Sequence, residues 1–172
     1  MILTDESKLL IPCDEVSIED GTDIIKLLEE ELRNSEVAGV GLAACQIGVS
    51  KKVFIIRTGK HGGQHNFINP QITSYTEPLI FRGEGCLSYP GKCIRTFRYN
   101  KIRIVDVIHP NGIDLHGLTA VVAQHEYQHT IGHSMFRNQL SNLTDNTLCV
   151  CGSNALFGIC CKRILMTNMR IL

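Results

Sequence analysis

The chain has no excess of either charge: 17 basic residues face 17 acidic ones over 172 residues. Nothing in that balance points to bulk nucleic-acid binding. No apolar run approaches the length needed to span a membrane. A basic-then-apolar leader is also missing from Met1 to Lys8. There is no internal repeat and no linker to divide the chain, so a single domain is expected, long enough to bury a real core. Without a secretory leader, the eight cysteines read as reduced thiols and not as a disulfide framework. The expected compartment is therefore cytoplasmic.

Against these absences stands His125-Glu126-Tyr127-Gln128-His129, an H-E-x-x-H pattern. On a helix, residues i and i+4 are neighbours on one face. Two imidazoles so placed can ligate one divalent metal, and the glutamate beside them can move a proton. Leu118, Val121, Val122, His125 and His129 repeat at helical spacing, and Gly132 follows at a stop position. An amphipathic core helix carrying two satisfied histidines is the plain alternative. It suits one histidine better than two at this spacing with glutamate between them.

The third ligand is not downstream by any familiar pattern. No glutamate follows Glu126, and Met135 stands where an extended H-E-x-x-H-x-x-G-x-x-H pattern needs histidine. His133 falls two residues too early. Upstream, Gly83-Glu84-Gly85-Cys86-Leu87-Ser88 places a cysteine between glycines that allow close backbone approach. Cys86 with His125 and His129 would make a three-ligand set, open at the fourth position as catalytic sites are. Taken alone, Cys86 could equally be a buried inert thiol. Gly39-Val40-Gly41-Leu42-Ala43-Ala44-Cys45-Gln46 lacks the lysine of a phosphate loop. Its small residues suit a tight backbone path beside a cleft, and Gln46 offers an amide donor.

Together and in this order, the three blocks resemble the peptide deformylase family. The family patterns G-x-G-L-A-A-x-Q and E-G-C-L-S are intact at Gly39–Gln46 and Glu84–Ser88. The third, Q-H-E-x-D-H, runs from Gln124 to His129 with Gln128 in place of Asp. Phe67-Ile68-Asn69-Pro70 also resembles a family segment. The resemblance covers roughly Met1 to Asn138, so no transit peptide is expected. Residues 1–138 are accordingly expected to form the catalytic domain, and 139–172 a tail packed on it. Gln128 removes no ligand, but it can alter the hydrogen bonds that orient the ligands.

The resemblance implies removal of the formyl group from N-formylmethionyl nascent peptides. It implies Cys86, His125 and His129 as ligands of Fe2+, with Zn2+, Ni2+ or Co2+ as substitutes, one per chain. Glu126 would be the proton shuttle, and Gln46 with the Leu87 backbone N–H the oxyanion donors. Val40, Gly41 and Gly85 would hold the substrate backbone. Leu118, Val121 and Val122 would line the methionine pocket. In some family members a basic C-terminal helix docks on the ribosome; neither a membrane nor a specific nucleic acid is expected as partner. Two rivals stand beside this reading: an H-E-x-x-H zinc peptidase with another third ligand, and an inactive formyl-peptide-binding module.

The expected fold is α+β, with short, mostly antiparallel strands around a central metal-binding helix. Ile2–Pro12 reads as extended. Ser17–Arg33 reads as a helix with Ile24, Ile25, Leu28 and Leu32 on one face. Strands are predicted at Val53–Arg57, Gln71–Tyr75, Leu79–Arg82, Ile94–Arg98, Lys101–Ile108 and Ile113–His116, with a turn at Pro110-Asn111-Gly112. Gly59–Gln64 reads as a loop, and His61 and His65 as solvated. The tail carries Cys149, Cys151, Cys160 and Cys161 in spacings that do not match a C-x-x-C zinc knuckle. A small apolar helix or strand with cysteines as small hydrophobes is expected there.

Overall fold

The computed structural model describes residues 1–58, 63–151, 153–167 and 170–171. Two antiparallel hairpin systems enclose one buried helix. The chain opens with α1 (Glu6–Leu9), where extended backbone was expected. Asp5 makes the difference: its carboxylate accepts from the Ser7 N–H and caps the turn. Next comes α2 (Ile18–Asn34), capped by the Ser17 side chain, which accepts from the Asp20 N–H. Its face of Ile24, Ile25, Leu28 and Leu32 is buried, as the spacing predicts.

A three-stranded sheet follows, in the order β1 (Gly41–Ala43), β2 (Val53–Thr58), β3 (Gly63–Ile68). Along β2 the side chains alternate between two cores. Val53 and Ile55 meet the apolar face of α2; Phe54 and Ile56 meet the core on the other side. β3 overturns the expected loop at Gly63–Gln64. His65 lies half-buried within that strand, paired with Ile56, and His61 falls outside the described residues.

The second sheet runs β6 (Ile113–His116), β5 (Ile94–Val105), β4 (Gln71–Glu84), β7 (Arg170–Ile171). Four predicted strands are in fact two long ones. Gln71–Tyr75 and Leu79–Arg82 fuse in β4, while Ile94–Arg98 and Lys101–Ile108 fuse in β5, which stops at Val105. The register of β4 against β5 shifts between Ile72 and Ser74 and again between Arg82 and Glu84. At the second shift Gly83 takes φ +87°, a backbone region open to glycine. A bulge there re-aims the next side chain, and Glu84 turns from the surface into the interior.

The turn at Pro110-Asn111-Gly112 and the return strand β6 stand where the sequence placed them, with Gly112 at φ +73°. From β6 the chain enters α3 (Gly117–Thr130) directly. α3 packs on β1, β2 and β5 and is buried on nearly every side from Ala120 onward, more central than an amphipathic surface helix. Gly132, at φ +72°, ends it; a Cβ there would meet the backbone of Leu10 and Pro12. The last segment forms α4 (Cys161–Thr167) and β7, which pairs in parallel with β4. It contributes Cys149, Phe157, Cys161 and Leu165 to the main core, so Cys149 and Cys161 are the small buried residues expected, while Cys151 and Cys160 are half-buried.

Candidate metal centre and catalytic cavity

His125 and His129 project from the same face of α3, their ring centroids 5.0 Å apart. Cys86 reaches them from the loop after β4, which is folded by Tyr89 N–H donating to the Cys86 carbonyl at 3.0 Å. Its Sγ lies 3.3 Å from His129 Nε2. One ligating atom from each of Cys86, His125 and His129 falls within 4.8 Å of the other two. His133 is elsewhere, against Arg137, and Met135 is buried in the core.

Glu84 sets the orientation of His125, accepting at 2.7 Å from Nδ1 and leaving Nε2 for the shared centre. Thr96 Oγ1 and the Arg98 guanidinium hold Glu84 in turn, with Arg98 Nε donating at 2.8 Å. The remaining reach of Arg98 goes to Gln128, whose Oε1 accepts from Nη1 at 2.8 Å. Gln128 Nε2 donates onward to Asn138 Oδ1, and Asn138 Nδ2 donates to the Phe97 carbonyl at 2.9 Å.

Burial by itself would raise the Glu84 carboxyl, but Arg98 and His125 hold it far below the usual carboxylate range. For His125, burial opposes charge, yet Cys86, Glu84 and Glu126 raise its pKa well above that of ordinary imidazole. His129 is driven the other way, by burial and by the positive charges of His125 and Arg98. Burial pushes Glu126 up to about 7, against the opposing pull of His125.

Gln46 stands at the end of β1, on a short 3-10 turn (Ala44–Ile47). Its Oε1 accepts from the Ala43 N–H at 2.9 Å, which fixes the amide. Nε2 consequently points into the site, 3.4 Å from Cys86 Sγ and 3.1 Å from Ser88 Oγ. Gly41 shows why β1 must begin with glycine. A Cβ on Gly41 would lie 2.5 Å from Glu126 Oε1 and 2.9 Å from Val122 Cγ1. Gly39 makes similar room for Leu32 and Leu87.

These groups converge on a cavity of about 450 Å³. Val40, Gly41, Gln46, Gly85, Cys86, Leu87, Leu118, Val121, Val122, His125 and Glu126 all line it. β1 is the outermost strand of its sheet, so one edge of its backbone borders this space. Several contributors escaped sequence reasoning: Glu84 and Arg98, which orient the ligands, and Phe81 and Tyr89, which line the cavity. Glu84 had a signal, as an acid two residues before the candidate thiolate. Arg98 had none, because only the β4–β5 register brings it near.

The donor set suits a metal. Thiolate and imidazole are ligands for divalent transition metals, and three of them leave an open position. Within the described residues, His129 Nδ1 and Glu126 Oε2 are buried side-chain atoms with no hydrogen-bond partner. Glu126 is also one of the residues that line the cavity. Fold and site together fit a metal-dependent hydrolase, with three candidate ligands drawn from one helix and one loop.

Comparison with known proteins gives the family. A family model described as polypeptide deformylase matches residues 1–146. Peptide deformylase 1 of Clostridium perfringens is 37% identical over 121 residues, covering 67% of this chain and 81% of the relative. Peptide deformylase of Treponema pallidum (strain Nichols) is 41% identical over 98 residues, covering 55% and 59%. The crystal structure of peptide deformylase from Thermotoga maritima superposes with TM-score 0.69 at 28% identity, over 81% of this chain and 96% of that one. A probable peptide deformylase from Synechococcus phage S-SSM7 gives 0.70 at 29%, over 80% and 98%. The chain belongs to the peptide deformylase family of metal-dependent hydrolases.

Proposed function

We propose that this chain removes the N-formyl group from the formylmethionine that begins newly made polypeptides, acting in the cytoplasm. The observation that carries the reading is the gathering of Cys86, His125 and His129 at one point, beside a cavity lined by Cys86, His125, Glu126 and Gln46 and bordered by the edge of β1. Among the described residues, no helix is long and apolar enough to cross a membrane. Residues 1–138 form the catalytic domain in this reading, with 139–172 packed on it.

Cys86, His125 and His129 would hold the metal, with Fe2+ as the native ion and Zn2+, Ni2+ or Co2+ as substitutes. Such a cation supplies Lewis acidity, polarising a carbonyl and acidifying water. Glu126 accepts the proton of the attacking water and returns it to the departing amine. The Gln46 amide and the Leu87 N–H donate to the oxygen on which charge develops, each typically worth about 3 kcal/mol of barrier. Val40 and Gly41 on one wall and Gly85 on the other bind the substrate backbone as an added strand. Val121, Val122 and the half-exposed Leu118 receive the methionine side chain.

The test is hydrolysis of formyl-Met-Ala-Ser by protein loaded with iron under anaerobic conditions. Formate release with the peptide bonds left intact supports deformylation. Cleavage of internal peptide bonds would indicate the H-E-x-x-H peptidase. Binding without turnover would indicate a formyl-peptide-binding module.

A further inference from the structure

The four cysteines of the C-terminal segment lie outside the catalytic cavity and take no part in the chemistry above. Cys149 and Cys151 flank Val150, and Cys160 and Cys161 are adjacent in the chain. A chain reversal brings the two pairs together. Leu148 bridges Leu156, the Cys149 N–H donates to the Ala155 carbonyl at 2.8 Å, and the Phe157 N–H donates to the Thr147 carbonyl at 2.7 Å. All four Sγ atoms then fall within 4.8 Å of one another. Cys160 Sγ lies 3.7 Å from Cys151 Sγ and 3.7 Å from Cys161 Sγ. All four thiols are free.

These separations match a specific geometry. A tetrahedral zinc ion bound at about 2.3 Å by four thiolates sets neighbouring sulfurs about 3.8 Å apart. Cysteines acting only as small hydrophobes have no reason to gather at one point. The surroundings also suit thiolates. Tyr99 Oη lies 2.7 Å from Cys161 Sγ, and Ser153 Oγ lies 3.3 Å from Cys160 Sγ. Each hydroxyl can donate to a sulfur, as groups around a ligating atom commonly do.

We propose that Cys149, Cys151, Cys160 and Cys161 bind a structural zinc ion, separate from the catalytic metal. Four protein ligands close the coordination sphere, which marks a structural site and not a reactive one. All-sulfur tetrahedral sets select zinc over harder divalent ions. The spacing, C-x-C followed after eight residues by C-C, differs from paired C-x-x-C knuckles. Here the hairpin closure does the work that knuckle spacing does elsewhere. Binding releases the thiol protons to solvent and ties the segment to β5 through Cys149 and Cys161, which share the core with Phe97 and Tyr99.

The test uses the full chain, reduced, stripped by chelator and titrated with Zn2+ or Co2+ alone. A Cys86→Ala variant, disabled at the catalytic centre, should still take up one equivalent of zinc. With cobalt it should show the strong thiolate charge-transfer and tetrahedral d–d bands of a four-sulfur site. The double variant Cys151→Ser/Cys160→Ser, altered at the two half-buried ligands, should lose that spectrum and one equivalent of zinc while keeping the catalytic metal. Its circular dichroism reports whether it folds. The proposal is overturned if the Cys86→Ala protein shows no four-sulfur cobalt spectrum. It is equally overturned if the tail thiols react with a thiol reagent at the same rate with and without Zn2+.

Discussion

Arg98 donates to Gln128 Oε1 at 2.8 Å, in the interior next to the two candidate ligand histidines of α3. Through this contact the residue that departs from the family pattern joins the support of Glu84 and hence of His125. Gln128 answers two partners at once, accepting from Arg98 and donating to Asn138. Replacing it by Asp supplies a charge to Arg98 but sets a carboxylate against Asn138 Oδ1. We expect Gln128→Asp to stay active, with stability changed by only about 1 kcal/mol, since one hydrogen bond is exchanged for a charge-assisted one. Gln128→Met removes both bonds and leaves the buried Arg98 Nη1 donor without its Gln128 partner, while the ion pair with Glu84 remains; a loss of about 2–4 kcal/mol is expected. Thermal melts of both variants beside turnover measurements test this. Equal losses would show that the polar pairing is unimportant.

Gly41 and Glu126 make the next prediction. Because a Cβ at Gly41 would displace the Glu126 carboxylate, Gly41→Ala should impair chemistry more than folding. A misplacement of about 1 Å at a reacting group costs on the order of 10²-fold in rate. The expected outcome is a fall in kcat with a melting temperature near that of the parent. Unchanged kcat would mean that the strand moves aside freely.

Glu126 itself should be dispensable for metal binding and essential for turnover. General acid–base groups contribute on the order of 10²–10⁴-fold, so Glu126→Ala should lose that much while metal content by elemental analysis stays the same. Near-normal turnover in the metal-loaded variant would remove Glu126 from the mechanism.

Of the three candidate ligands in the catalytic group, Cys86 is the one that is not on α3, so its loss should be felt in the catalytic metal before anything else. Cys86→Ala should lose catalytic metal, activity or both. Full activity would point to another third ligand and favour the peptidase alternative.

How much of this was legible in the sequence depends on the range of the interaction. The H-E-x-x-H geometry is local, because i and i+4 on a helix are neighbours whatever surrounds them. α2 and the β6 hairpin were readable for the same reason. β4 was broken in two because Glu77, at φ +57°, and Pro78 interrupt the strand pattern, and β5 was broken at Tyr99-Asn100, while pairing across the hairpin carries both strands through. β3 was hidden because Gly63-Gln64-His65-Asn66 reads as a turn until β2 supplies its partner. Glu84 meets Arg98 only through a bulge that no local signal announces. The tail cysteines likewise converge only once Leu148 has paired with Leu156.

The last prediction concerns that tail. In some family members a basic C-terminal helix docks on the ribosome, and here Lys162 and Arg163 lie on α4. Lys162 is already paired with Asp145, however, and phosphate contacts from so few charges weaken steeply with salt. Packing is the stronger commitment of this segment. Phe157 stacks edge-on against Phe97 at 5.5 Å, and Leu165 is buried in the same core. Removing a buried phenylalanine side chain alone typically costs about 3–5 kcal/mol, and ending the chain after Asn142 removes Phe157 together with β7. The truncated protein should therefore melt many degrees lower or become insoluble, and Phe157→Ala should reproduce much of the loss. Ribosome co-sedimentation of whatever remains folded should change little. A truncated protein with an unchanged melting temperature that no longer pellets with ribosomes would make docking, and not packing, the role of the tail.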